Sequence, residues 1–206
     1  MSNIKHFFHQ SWLLIISSFC FGLLIAVTNA AWSPRIQQNE KDKLNNLMTG
    51  LITEARNFEI TIEGVEVPGK KGKITKTDIY QALDDSGSSA GFAFVAIGAG
   101  FADKIKLVIA VDAKCEKFLG FKVLSSNETP GFGDRIKEDY FGNQFKKAPA
   151  GGLQLVKTGD PETIDSEIVA ISGATVSSEA VVKIFNAYID KVKQQLPEKE
   201  LKTNGQ

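Results

Sequence analysis

The hydrophobic pattern of the first 34 residues has no amphipathic period. From Ser11 to Pro34 no Asp, Glu, Lys or Arg occurs, and the 21 residues from Trp12 to Trp32 are almost all apolar or small. About 20 such residues cross the hydrocarbon layer as a helix, and aromatic residues favour its two interfaces. A transmembrane helix over 11–33 follows, after a short flank at 1–10. It reads as a retained anchor rather than a cleaved signal peptide, because the flank is nearly uncharged and the apolar run is long. The pattern then becomes periodic. Leu44, Leu47, Met48, Leu51, Ile52 and Ala55 recur at i, i+3, i+4, i+7, i+8 and i+11, so residues 34–58 read as an amphipathic helix whose stripe packs on its own domain. Gly64, Pro68, Gly69 and Gly72 mark a loop.

Beyond that loop the runs shorten to strand length. Asp78–Leu83, Gly91–Ile97, Ile105–Val111 and Leu119–Leu124 are separated by turn-forming residues and predict an antiparallel meander. Leu153–Val156 and Glu167–Ile171 are two further short strands. The last helix is predicted over 176–196, with Val181, Ile184, Phe185, Tyr188 and Val192 on its buried side and Pro197 helping to end it. A polar tail occupies 197–206. The fold class is α+β: one N-terminal transmembrane helix, then a single domain over 59–196 with an antiparallel sheet and flanking helices.

Charge narrows the choice of partners. Lys+Arg and Asp+Glu are equal at 24 each, so no net field recruits nucleic acid. Cys20 lies in the apolar segment and Cys115 is the one cysteine of the soluble part, which excludes a disulfide framework and a thiolate zinc or iron–sulfur site within the chain. His6 and His9 sit on a short flank unsuited to hold a metal or haem. Any redox chemistry therefore needs an organic cofactor. Orientation is not written in the charges: Lys5 precedes the apolar helix while Arg35, Lys41 and Lys43 follow it. Long C-terminal domains translocate largely regardless of such a count.

Two segments carry candidate chemistry. Ser172-Gly173-Ala174-Thr175 feeds the last helix and places hydroxyls beside its unpaired N–H groups and positive dipole end, where a phosphate is readily held. Glu128-Thr129-Pro130-Gly131-Phe132-Gly133 is a tight turn able to approach a planar ligand, flanked by Asp134 and Arg135. Gly98-Ala99-Gly100 precedes no helix and is not a dinucleotide loop. Taken singly, the first segment equally describes a helix cap and the second an ordinary loop.

Together, and in this order, they resemble the FMN-binding-domain family that includes the G subunit of Rnf-type electron-transport complexes and the C subunit of sodium-pumping NADH:quinone reductases. The resemblance implies that residues 59–196 form an FMN-binding domain placed outside the bacterial inner membrane by a single-pass anchor in membrane lipid. It implies that Thr175 carries FMN through a phosphoester made by a flavin transferase from FAD. It further implicates Ser172, Gly173, Ala174, Glu128, Thr129 and Gly131 around the cofactor. The implied activity is electron relay within a ferredoxin/NAD ion-translocating complex, alongside other membrane flavin and iron–sulfur subunits, with no catalysis by the chain alone. One departure stands out: the family's Asp three positions before the motif serine is Val169 here, and Asp165 lies too far upstream to replace it. Two other readings remain open: a flavin-carrying component of a different extracytoplasmic respiratory or reductase system, and a noncatalytic exported domain whose turn grips an anion.

Overall fold

The computed structural model describes residues 2–68 and 74–196, with side chains from residue 11 onward. The predicted loop glycines 69 and 72, Pro197 and the tail 197–206 lie outside the described residues. Two compact units divide between Lys43 and Leu44.

Helix α1 (Ser2–Leu51) runs through the flank and the apolar segment without a break, Pro34 included. The one helix among the described residues with the length and composition to cross a membrane spans Ser11–Leu51. In the first unit its apolar side chains are exposed rather than packed on protein, as Leu14, Phe19 and Ile25 show. That is the expected arrangement for a helix whose solvent is lipid.

The second unit is a five-stranded antiparallel sheet in the order β1–β2–β3–β4–β5. Its strands are β1 (Asn57–Pro68), β2 (Ile74–Leu83), β3 (Ser89–Ala99), β4 (Lys104–Val111) and β5 (Phe118–Ser126). Strand β1 corrects the sequence expectation: α1 stops at Leu51, not at residue 58, and a strand occupies the predicted end of the helix and start of the loop. Two signals compete here. Ile52 and Ala55 prolong the helical stripe, but Phe58, Ile60 and Ile62 alternate with Glu59, Thr61 and Glu63, a period-2 pattern that a strand beside β2 satisfies.

Both faces of the sheet are covered, which is why its central strands read as apolar runs. On one face Met48, Ile52 and Ala55, at and just past the end of α1, pack on Ala82, Ala93, Val108 and Ala110. The predicted stripe thus does pack on its own domain. On the other face Phe92, Phe94, Ile105, Leu107 and Ile109 meet α3 (Thr175–Gln195) through Val181, Ile184, Phe185 and Tyr188. The Tyr188 hydroxyl also accepts the Ile97 N–H at 3.0 Å, fixing α3 against β3.

The link from β5 to α3 contains a 3₁₀ turn (Gly133–Lys137), a single-turn helix α2 (Asp139–Gly142) and a second 3₁₀ turn (Asn143–Phe145). After these, β6 (Gln154–Val156) and β7 (Glu167–Val169) form a separate two-stranded sheet, and they pair parallel. Cys115 is buried in the β4–β5 connection, and burial pushes its thiol up to about 12, with Asp112 adding to the rise. It should resist alkylation in the native protein and react on denaturation. Because the folded value lies above the ordinary 9.0, its contribution to stability is complete below pH 9 and is lost as pH rises toward 12. Thiol labelling against urea, and unfolding midpoints measured across that window, check both statements.

Candidate functional site

The site is built where β7 turns into α3. Gln144, buried on the second 3₁₀ turn, accepts the Val169 N–H at 2.7 Å and donates to the Val169 carbonyl at 3.3 Å. The backbone of residue 169 is therefore anchored without any contribution from its side chain. Asp165 is occupied locally, accepting the Glu167 N–H at 2.6 Å, and does not stand in for the missing Asp. Next, the buried Ser178 hydroxyl accepts the Ile171 N–H and donates to the Ala174 carbonyl, both at 3.0 Å, which closes the turn onto the helix. Gly173 makes that turn sharp with φ +81°, a left-handed conformation that costs a side-chain-bearing residue roughly 1–2 kcal/mol.

This leaves Thr175 as the first residue of α3, exposed to solvent, after the buried Ala174. No side chain caps the helix. The first turn-closing backbone bond is Ser178 N–H to the Ala174 carbonyl. Among the described residues, the N–H groups of Thr175, Val176 and Ser177 meet no protein acceptor. Three unpaired donors at a positive helix end, beside an exposed hydroxyl, are the groups that a bound anion requires.

The second motif lies alongside. The Thr129 carbonyl accepts the N–H groups of Phe132 and Asp134 at 3.2 and 3.3 Å, folding 129–134 into a tight loop with Gly131 at φ +75°. Phe132 is carried on this loop and stays 58% exposed. At the β3–β4 hairpin tip Phe101 is 68% exposed. The tip is stiffened by a Gly100 N–H bond to the Asp103 carbonyl at 2.7 Å and by Asn127 Nδ2 donating to Asp103 at 3.0 Å. The Lys104 N–H and then the Asn127 amide hold the Asp103 carboxyl below its ordinary range.

These elements enclose a cavity of about 480 Å³ lined by Phe101, Glu128, Thr129, Phe132, Gly133 and residues 173–177. The two sequence motifs thus meet in space, and Gly173, Ala174, Thr175, Glu128 and Thr129 share one cavity. Ser172 and Gly131 are exposed and shape the two turns without lining it. Arg135 is drawn elsewhere, 3.6 Å from Glu138 and over the Tyr140 ring. Sequence reasoning missed Phe101 and Ser177. An aromatic at a Gly100-Phe101-Ala102-Asp103 hairpin tip was the available signal for the first, and nothing in the sequence paired Ser177 with Glu128.

An anion-binding helix end opening onto an aromatic-walled cavity is the equipment of a domain that holds a phosphate-bearing planar cofactor. Residues 100–190 match the FMN-binding domain. The G subunit of the proton-translocating ferredoxin:NAD(+) oxidoreductase complex of Clostridium ljungdahlii is 30% identical, over 87% of this chain and 88% of that one. The G subunit of the ion-translocating oxidoreductase complex of Methanosarcina acetivorans is 27% identical, over 95% of this chain and 99% of that one. In three dimensions, the C subunit of the Na(+)-translocating NADH-quinone reductase from Parabacteroides distasonis has the same fold, with a TM-score of 0.54 at 20% identity over 82% of this chain and 96% of that one. The chain belongs to the family of G subunits of ion-translocating oxidoreductase complexes.

Proposed function

We propose that this chain is the flavin-carrying subunit of an Rnf-type ferredoxin/NAD ion-translocating complex, with FMN joined to Thr175 by a phosphoester. The observation that carries the reading is the exposed Thr175 hydroxyl, set beside three N–H groups without protein acceptors at the mouth of an aromatic-walled cavity. Attachment on a flavin transferase forms the Thr175 Oγ–phosphorus bond and breaks the bond from that phosphorus to AMP, which leaves the FAD donor; the hydroxyl proton passes to the transferase. FMN, once attached, supplies reversible one- and two-electron redox chemistry.

The residues of this chain bind and orient. The N–H groups of Thr175, Val176 and Ser177 hold the phosphate oxygens, and Ser172, Gly173 and Ala174 set the turn that presents the hydroxyl. Thr129 and the loop through Gly131 lie at the ring edge, while Phe101 and Phe132 exclude water from its faces. Among the described residues, Glu128 is the one titratable side chain in the cavity lining, and its carboxylate already accepts three hydrogen bonds. Electrons arrive from and leave to partner flavin and iron–sulfur subunits, and the chain does not catalyse alone. The domain lies outside the bacterial inner membrane, held by α1 in lipid.

Pulling the tagged full chain from native membranes tests this assembly. Co-purification of iron–sulfur and flavin subunits, together with digestion of the domain by protease added to the periplasmic side only, is expected. Recovery without redox partners, or digestion only from the cytoplasmic side, would contradict it.

A further inference from the structure

Glu128 is buried, 5% exposed. An unpaired buried charge is costly unless hydrogen bonds replace its water. Here three do. Oε1 accepts the N–H groups of Phe101 at 2.9 Å and Ala102 at 3.1 Å, and Oε2 accepts the Ser177 hydroxyl at 2.5 Å. The positive end of α3 lies beside the same carboxyl oxygens through Ser177.

The packing around the carboxylate is cut to its shape. A Cβ on Gly133 would stand 2.7 Å from Oε2 and 2.6 Å from Ser177 Oγ, and one on Gly100 would collide with Oε1. At Gly133 the carboxylate and the Ser177 hydroxyl fill that space, and at Gly100 the carboxylate shares it with the Asp103 carbonyl and Ile105. One residue, at the exit of β5, thereby joins the β3–β4 tip to the first turn of α3. The side chain ahead of it in the tip, Phe101, is one cavity wall, and Thr175, two residues before Ser177, is the other.

We propose that Glu128 is a positioning residue: its carboxylate fixes the Phe101 tip relative to the Thr175 turn, so that the cavity has its shape before any flavin is attached. This rests on the cavity being the flavin site, and the first measurement needs no flavin, so the two readings can fail separately.

Amide hydrogen exchange on the full chain in detergent, made without the flavin transferase, reads the bonds directly. In Glu128→Ala the Phe101 and Ala102 amides should exchange at least about tenfold faster, while the β4 interior from Val108 to Ala110 is unchanged. Glu128→Gln, which keeps a carbonyl oxygen in the same place, should restore slow exchange at the tip. Unchanged exchange at the tip in Glu128→Ala, or equal acceleration through β4, overturns the proposal. Ser177→Ala is the milder variant and removes one of the three donors. Made with the transferase, it should carry flavin on Thr175 with an altered visible circular dichroism band, because the ring environment has shifted. A band identical to that of the wild type overturns the link between the carboxylate and the cavity.

Discussion

Thr175→Ala should remove covalent flavin completely. Co-expressed with a flavin transferase, the wild-type chain is expected to give a fluorescent band on a denaturing gel under ultraviolet light, and the variant none. The loss is chemical rather than structural, because Thr175 is exposed and makes no side-chain cap to its helix. Stability should therefore change by no more than about 0.5 kcal/mol, the usual range for surface substitutions. The buried hydroxyls of the same turn cannot take over. Ser177 and Ser178 are buried and bonded to Glu128 and Ala174. Ser172 and Thr129 are the exposed rivals nearby, and Ser172→Ala and Thr129→Ala should each keep the band. A fluorescent Thr175→Ala chain would move the attachment elsewhere.

The largest effect on stability should come from Phe185→Ala. This ring on α3 is fully buried and lies 4.5, 4.8 and 5.4 Å, centroid to centroid, from Phe145, Phe118 and Phe121. It joins the helix to β5 and to the second 3₁₀ turn, and the edge-to-face contacts with Phe118 and Phe121 add to the burial of area. Truncating a buried Phe costs about 3–5 kcal/mol through lost transfer energy and the cavity left behind. Domains of this size are stable by roughly 5–15 kcal/mol, so the variant should sit close to unfolding. Urea denaturation of the full chain in detergent, followed by far-ultraviolet circular dichroism, measures the shift. A midpoint near that of the wild type would mean the aromatic cluster repacks around the gap.

How much of this could be read from the chain depends on the range of the interaction. Strands β2 to β5 and helix α3 were legible because each buries a continuous apolar run or a single stripe, and local turns separate them. Strand β1 was not, since Ile52 and Ala55 extend a helical period into residues that tertiary pairing with β2 claims for the sheet. The segments of β6 and β7 were visible, but their parallel pairing was not, because short strands carry no record of their partner. The site divides in the same way. Ser172 to Thr175 and Glu128 to Gly133 declare themselves through turn residues placed before a helix or around an aromatic. The bond between Ser177 and Glu128 spans 49 positions, and the tip that presents Phe101 is tied to Glu128 across 27. Contacts of that length come from folding alone. The structure also bears on the Val169 departure, since Gln144 holds that strand end by its backbone and the geometry of the turn does not depend on an Asp there.

The central claim is one covalent bond, and intact-mass spectrometry of the full chain purified from its native membrane addresses it most directly. The expected mass is that of the polypeptide increased by one FMN less one water, with fragmentation locating the addition on Thr175. An unmodified polypeptide mass, or an addition found on Ser172 or another residue, would contradict it.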